Sequence, residues 1–193
     1  MFFTRFFLAV FAVLVAVCAA ETETLPVLPQ EYQKIVDYKG ALNTTQDGWT
    51  MYKQCDSAWG SQQLGTCSDT ICSAGCAMSS VAMMLKTKGT NKDPSTLNSW
   101  LRSNGGYSSG CLINWASVNA FGTVTYIGKQ HPNESEICNG LAAKHGLIAN
   151  VHNGGHWVLL TGCNGGGVYR VNDPGYSTTT YKHSDIVEIA VYH

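Results

Sequence analysis

The chain has 193 residues, of which 45% are hydrophobic and 13% charged, with 12 Lys and Arg against 13 Asp and Glu. So even a balance excludes the basic footprint of a nucleic-acid binder, and 9 Tyr, 6 Phe and 5 Trp supply a core that excludes wholesale disorder. The length suits one domain.

Residues 1–20 read as a secretory signal peptide: Arg5, an apolar run from Phe6 to Val17, then Cys18-Ala19-Ala20 at the cleavage site. The run falls short of the ~20 residues that a spanning helix needs, and Glu21-Thr22-Glu23 is no basic flank, so no membrane anchor is expected. Residues 21–46, with Pro26 and Pro29 and no periodicity, read as a tether or short propiece, and 47–193 as one folded domain. Two sequons, Asn43-Thr44-Thr45 and Asn133-Glu134-Ser135, fit an exported glycoprotein, secreted or held in the lumen of a secretory or lysosomal compartment.

Losing Cys18 with the leader leaves Cys55, Cys67, Cys72, Cys76, Cys111, Cys138 and Cys163, an odd number. In an oxidising compartment six of them are expected to form three disulfides, with fifteen pairings open, and one stays free. Cys76 is the candidate, since it alone opens a helical pattern behind a glycine; the competing reading makes the odd thiol a buried core cysteine.

Along the domain, Cys76 to Lys86 is apolar around most of its circumference and reads as a buried helix stopped by Gly89. Asp93-Pro94 opens a second helix through Leu97, Trp100 and Leu101; Ile113, Trp115, Val118 and Phe121 suggest a third; Asn133 to His145 makes a fourth. Short β-rich runs follow at Leu147–Val151, 156–162, 168–173 and 186–192, with Thr123 to Gly128 a further strand and Asn164-Gly165-Gly166-Gly167 a hairpin turn. Helices first and strands later argue for an α+β fold with an antiparallel sheet.

The chemistry gathers at element ends. A cysteine in the first turn of a helix faces unpaired N–H groups and the positive end of the macrodipole, which favour a thiolate and can donate to an oxyanion. His156 follows Gly154-Gly155 at the head of an apolar strand, where a side chain points into a cleft as a general base. Asp173, in Asn172-Asp173-Pro174-Gly175 at the end of the next strand, is placed to orient that imidazole. Singly, such a histidine is a hydrogen-bonded structural residue and such an aspartate a turn former; together, in this order, they read as a hydrolase site.

Gly75 and Gly154-Gly155 suggest a narrow slot where substrate backbone lies close, with Trp157 and the Gly105-Gly106-Tyr107 loop as aromatic flanks. Trp59, Trp100 and Trp115 read as core or cleft packing, and His152 as an exposed or strand-end residue rather than the base. Joining Cys67, Cys72, His152 and His156 into a zinc site is disfavoured, because an exported chain oxidises such thiols and the glycine loop does not face two imidazoles together.

Four segments, Gln54-Cys55-Asp56-Ser57-Ala58-Trp59, Ala74-Gly75-Cys76-Ala77-Met78-Ser79-Ser80, Gly155-His156-Trp157-Val158-Leu159 and Val171-Asn172-Asp173-Pro174, resemble the papain-like cysteine peptidases of the bacteriocin-leader (double-glycine) peptidase-like group. The resemblance covers roughly residues 50 to 176 and implies a papain-like fold with the nucleophile at a helix N-terminus. It implies that Cys76 attacks, His156 shuttles the proton, Asp173 orients His156, and the Gln54 amide donates to the oxyanion. No metal or organic cofactor is implied. Gln54 and Cys76 stand 22 residues apart with Cys67 and Cys72 between them, an insertion relative to plant-type papains. The expected activity is a secreted cysteine peptidase acting as a monomer on peptide or protein, through a Cys–His–Asp thioester mechanism. The alternatives are an amidase or endopeptidase acting on bacterial cell-wall peptide, and a catalytically silent, disulfide-stapled binding protein.

Overall fold

The structure, a computed structural model, describes residues 48–193; the expected leader and the whole tether, with Cys18 and the Asn43 sequon, lie outside them. The described chain forms helices Ile71–Ala74 (α1), Cys76–Thr87 (α2), Pro94–Ser103 (α3) and Glu134–Ala142 (α4). Its strands are Tyr107–Ser108 (β1), Leu112–Ile113 (β2), Tyr126–Gln130 (β3), Gly146–Val151 (β4), His156–Gly165 (β5), Val168–Asn172 (β6), Thr180–Lys182 (β7) and Glu188–Tyr192 (β8).

Local sequence explains the helix starts. The side chains of Thr70, Asp93 and Asn133 each accept the backbone N–H three residues on, in reciprocal capping boxes, and Pro94 occupies the first turn of α3. α1 runs into α2 with only Gly75 between, and a Cβ there would lie 2.4 Å from the Ile71 carbonyl oxygen. The close approach of α1, rather than room for substrate, is what demands glycine.

Met78 to Leu85 of α2 are all buried, as a helix apolar nearly all round must be. The expected third helix is a different structure. Ile113 belongs to β2 of a small hairpin, and Trp115–Phe121 is a 3₁₀ helix ended by Gly122 at φ 71°. Cys111 is bonded to Cys67, so the segment is pinned at its start, and its aromatic and β-branched residues favour helix weakly.

Six strands form an antiparallel sheet in the order β3-β8-β4-β5-β6-β7. Strand alternation gives it two apolar faces: Ile148, Leu159 and Ala190 pack with α2 and α3, while Leu147, Ala149, Val158, Leu160 and Val191 pack with α4. Helices α1 to α3 precede the main sheet, as the α+β reading expects; β3 comes before α4, overlapping the further strand expected at Thr123–Gly128, and the β1–β2 hairpin, which was not expected, comes earlier still.

Three disulfides join Cys55 to Cys72, Cys67 to Cys111, and Cys138 to Cys163; Cys76 is the free cysteine among the described residues. The Cys138–Cys163 bridge ties α4 to β5 across 25 residues. Replacing both cysteines by alanine is expected to lower unfolding stability by about 3 kcal/mol, measured as a shifted urea midpoint. An unchanged midpoint would show that α4 docks without the bridge.

Candidate active site

Three element ends converge. Cys76 is the first residue of α2 and half-buried; His156 opens β5 and is 5% exposed; Asp173 follows the last residue of β6 and is 1% exposed. Because β5 and β6 are antiparallel with Leu159 opposite Asn172, the chain leaving β6 passes alongside His156. His156 Nε2 lies 2.7 Å from Asp173 Oδ1, and the ring is close enough to Cys76 to interact with it electrostatically. With Nε2 committed to the carboxylate, Nδ1 is the nitrogen left for sulfur.

Burial opposes charge on both partners and is outweighed on both. Desolvation alone would lower the His156 pKa, but hydrogen bonds to Asp173 and Cys76 and the negative charge of both raise it to about 9. Desolvation alone would raise that of Asp173; hydrogen bonds from His156 and the Tyr176 and Gly175 amides, with the imidazolium charge, hold it below the ordinary carboxylate range.

The Asp173 carboxylate is fully gripped. Oδ1 accepts from His156 and from the backbone N–H groups of Gly175 and Tyr176, each amide at 2.9 Å, and Oδ2 accepts from the Tyr181 hydroxyl at 2.9 Å. Lys53 Nζ donates to the Asp173 and Tyr176 carbonyls, and the Gln54 backbone N–H donates to the Pro174 carbonyl. The Asp-Pro-Gly segment, read as a turn, thus doubles as a binding loop for its own aspartate.

Gln54 is 7% exposed and reaches the same place. Its Nε2 donates to the Cys72 carbonyl at 2.6 Å, which leaves one amide hydrogen over, and its buried Oε1 has no hydrogen-bond partner. A Cβ on Gly175 would meet His156 Cε1 at 3.0 Å and Gln54 Oε1 at 3.2 Å, so this glycine lets the turn close over both side chains.

A groove of about 440 Å³ opens beside Cys76, walled by Leu112, Ile113, Trp115 and Trp157 and carrying Lys129. Trp115 and Trp157 pack with ring centroids 4.7 Å apart, and Lys129 Nζ sits 5.1 Å above the Trp157 ring while bonding Glu188 at 2.7 Å. Trp157 is therefore a groove wall, as expected, but Tyr107 is not a flank: its hydroxyl turns away to Asn98 Oδ1 at 2.8 Å. Trp115 lines the cleft, whereas Trp59 packs edge-on against Tyr52, and Trp100 packs at a tilt against Phe121.

The thiols of the disfavoured zinc arrangement are spent, since Cys67 and Cys72 are each bonded to another cysteine. Reading the residues singly missed Tyr181 and Tyr176, while His152 is exposed and directly follows β4, as expected. Tyr181 lies in a three-residue strand, and its one signal was a lone aromatic between polar neighbours, Thr180 and Lys182.

The raised pKa of His156 has a consequence for stability. The unfolded imidazole has a pKa of ~6.5, so the pair's contribution is fully present below that pH and is lost as pH rises through about 9. Asp173 contributes from its ordinary value of 3.8 upward and loses its contribution as pH falls through the lower folded value. The thermal midpoint gap between the native protein and His156→Gln is expected to be widest between about pH 4 and pH 6.5 and to shrink toward about pH 10. A gap of constant width across that range would contradict it.

Residues 46–192 match the model of the Peptidase_C39 like family. Comparison with the curated proteins and with the solved structures found no match. With the family model covering most of the sequence, the chain belongs to the Peptidase_C39 like family, within the papain-like cysteine peptidases.

Proposed function

We propose that this chain is an exported peptidase in which Cys76, His156 and Asp173 carry out amide hydrolysis through a thioester. The observation that carries the reading is the buried His156–Asp173 pair, 2.7 Å apart, in electrostatic contact with the one free cysteine among the described residues. The family supports a peptide or protein substrate. Three disulfides support an oxidising compartment, and no described helix is long and apolar enough to cross a membrane.

Cys76 Sγ attacks the scissile carbonyl carbon, forming the C–S bond and moving the carbonyl π-electrons onto oxygen. The first-turn amides of α2 and the remaining Gln54 N–H are the donors for that oxyanion, and one such donor is worth ~2.7–4 kcal/mol. His156 gives the Nδ1 proton to the departing nitrogen as the C–N bond breaks. It then takes a proton from the water that attacks the thioester, and acid and free thiol are released. Asp173 keeps Nε2 protonated and the ring aimed at sulfur throughout.

Three variants test the assignment on fluorescent casein. Cys76→Ala is expected to abolish hydrolysis, His156→Ala to reduce it to near background, and Asp173→Asn to lower kcat roughly 10²-fold in a folded protein. Intact-mass analysis with an epoxide inhibitor should show one adduct, absent in Cys76→Ala. Hydrolysis that persists in Cys76→Ala would refute the mechanism.

A further inference from the structure

His152 has φ 53° and Asn153 φ 55°, two successive side-chain-bearing residues in the left-handed region. Such a pair is unfavourable and persists where the surroundings hold it. Here the His152 ring lies nearly parallel to His156 with centroids 5.5 Å apart, edge-on to Tyr176 at 5.2 Å and to Tyr181 at 5.6 Å. His152 Nε2 is 3.2 Å from the Tyr181 hydroxyl, which donates to Asp173 Oδ2 at 2.9 Å. The polar groups thus form one hydrogen-bonded line, His152, Tyr181, Asp173 and His156.

The direction of each hydrogen bond follows from proton counting. A phenol has one proton, and a buried, ionised carboxylate with no other donor shown at Oδ2 takes it. Toward His152 the phenol oxygen is therefore an acceptor, and His152 presents Nε2–H. Tyr181 does not lose its own proton in the working range: burial, the hydrogen bond to Asp173 and the charges of Asp173 and Tyr176 push its pKa up to about 12, against a lowering hydrogen bond from Thr178.

We propose that Tyr181 is a positioning residue of the active site, keeping Asp173 ionised and aimed at His156, and that His152 is the donor that fixes the phenol in place. The arrangement deepens the peptidase reading and rests on it. The groups facing Asp173 are His156, Tyr181 and the Gly175 and Tyr176 amides, with Lys53 on its carbonyl; those facing His152 are His156, Tyr176 and Tyr181. Removing the Tyr181 hydroxyl leaves Oδ2 buried without that donor. The carboxylate then protonates at higher pH and stops supporting the imidazolium beside sulfur.

Alkylation of Cys76 by iodoacetamide tests this without a peptide substrate: the sulfur–carbon bond forms, iodide leaves, and the rate against pH reports the thiolate–imidazolium pair. In the full chain with its disulfides intact, Tyr181→Phe is expected to move the acid limb of that profile up by about one pH unit. His152→Phe should move it the same way by less, and His152→Gln, which still offers an N–H to the phenol, should bring it back. Tyr169→Phe is the control, because Tyr169 stands opposite Tyr181 in the sheet and its hydroxyl contacts His183 Nδ1 at 2.9 Å instead of Asp173. An acid limb that stays put in Tyr181→Phe, or that moves equally in Tyr169→Phe, would overturn the proposal while leaving the peptidase reading intact. A native Cys76 that reacts below pH 7 no faster than free cysteine would overturn both.

Discussion

A charged carboxylate in the interior is the constraint around which the site is organised. Asp173 is 1% exposed, and an ion taken that far from water is tolerated only when its lone pairs are met. Four donors meet them, from β5, β7 and the loop that follows β6. The same loop accepts from Lys53 and from the Gln54 backbone, which fastens the segment ahead of the first helix onto the sheet. Cys76, His156 and Gln54 come from distant stretches of sequence, and satisfying one buried charge holds His156 and Gln54 in register.

Scaffolding on the other side of the cleft is covalent. Residues 48–70 contain no helix and no strand beyond an isolated bridge between Gln63 and Thr70, so little of their backbone is held by regular structure. Cys55–Cys72 lies directly beside Gln54, and Cys67–Cys111 attaches the β1–β2 hairpin whose Leu112 and Ile113 wall the groove. The segment between Gln54 and Cys76 is therefore stapled at two points. In a loop-rich segment such links take the place of core burial.

Cys76, His156 and Asp173 were legible in the sequence because each sits where a periodic pattern begins or ends, and glycine or proline marks those boundaries. Five of the six sheet strands were legible for the same reason, through β-branched runs between Gly and Asn-Gly, whereas β7 was not read. The 3₁₀ segment at Trp115–Phe121 carried a helix-like apolar spacing that a disulfide and a hairpin override. Gly75 was read as room for substrate and Gly175 as part of a turn, yet each is set by a close neighbour: the Ile71 carbonyl in one case, His156 and Gln54 in the other. Tyr181 and His152 were invisible as site residues, since a three-residue strand has no measurable period and a left-handed histidine leaves no mark in the one-dimensional pattern.

The order of the bridges shapes how the chain acquires them. Cys55–Cys72 and Cys67–Cys111 interleave, each loop enclosing one cysteine of the other, whereas Cys138–Cys163 stands apart. Pairing neighbours in order of synthesis would join Cys55 to Cys67 and Cys72 to Cys76, consuming the free thiol and producing neither crossed bridge. The native set thus requires either that the non-covalent fold brings Cys72 to Cys55 before oxidation, or that thiol–disulfide exchange corrects early errors. Cys76, four residues beyond Cys72, heads α2 and stays half-buried beside the groove; once Cys72 is joined to Cys55 its nearest cysteine in sequence is spent, so pairing among its neighbours rather than burial leaves it free.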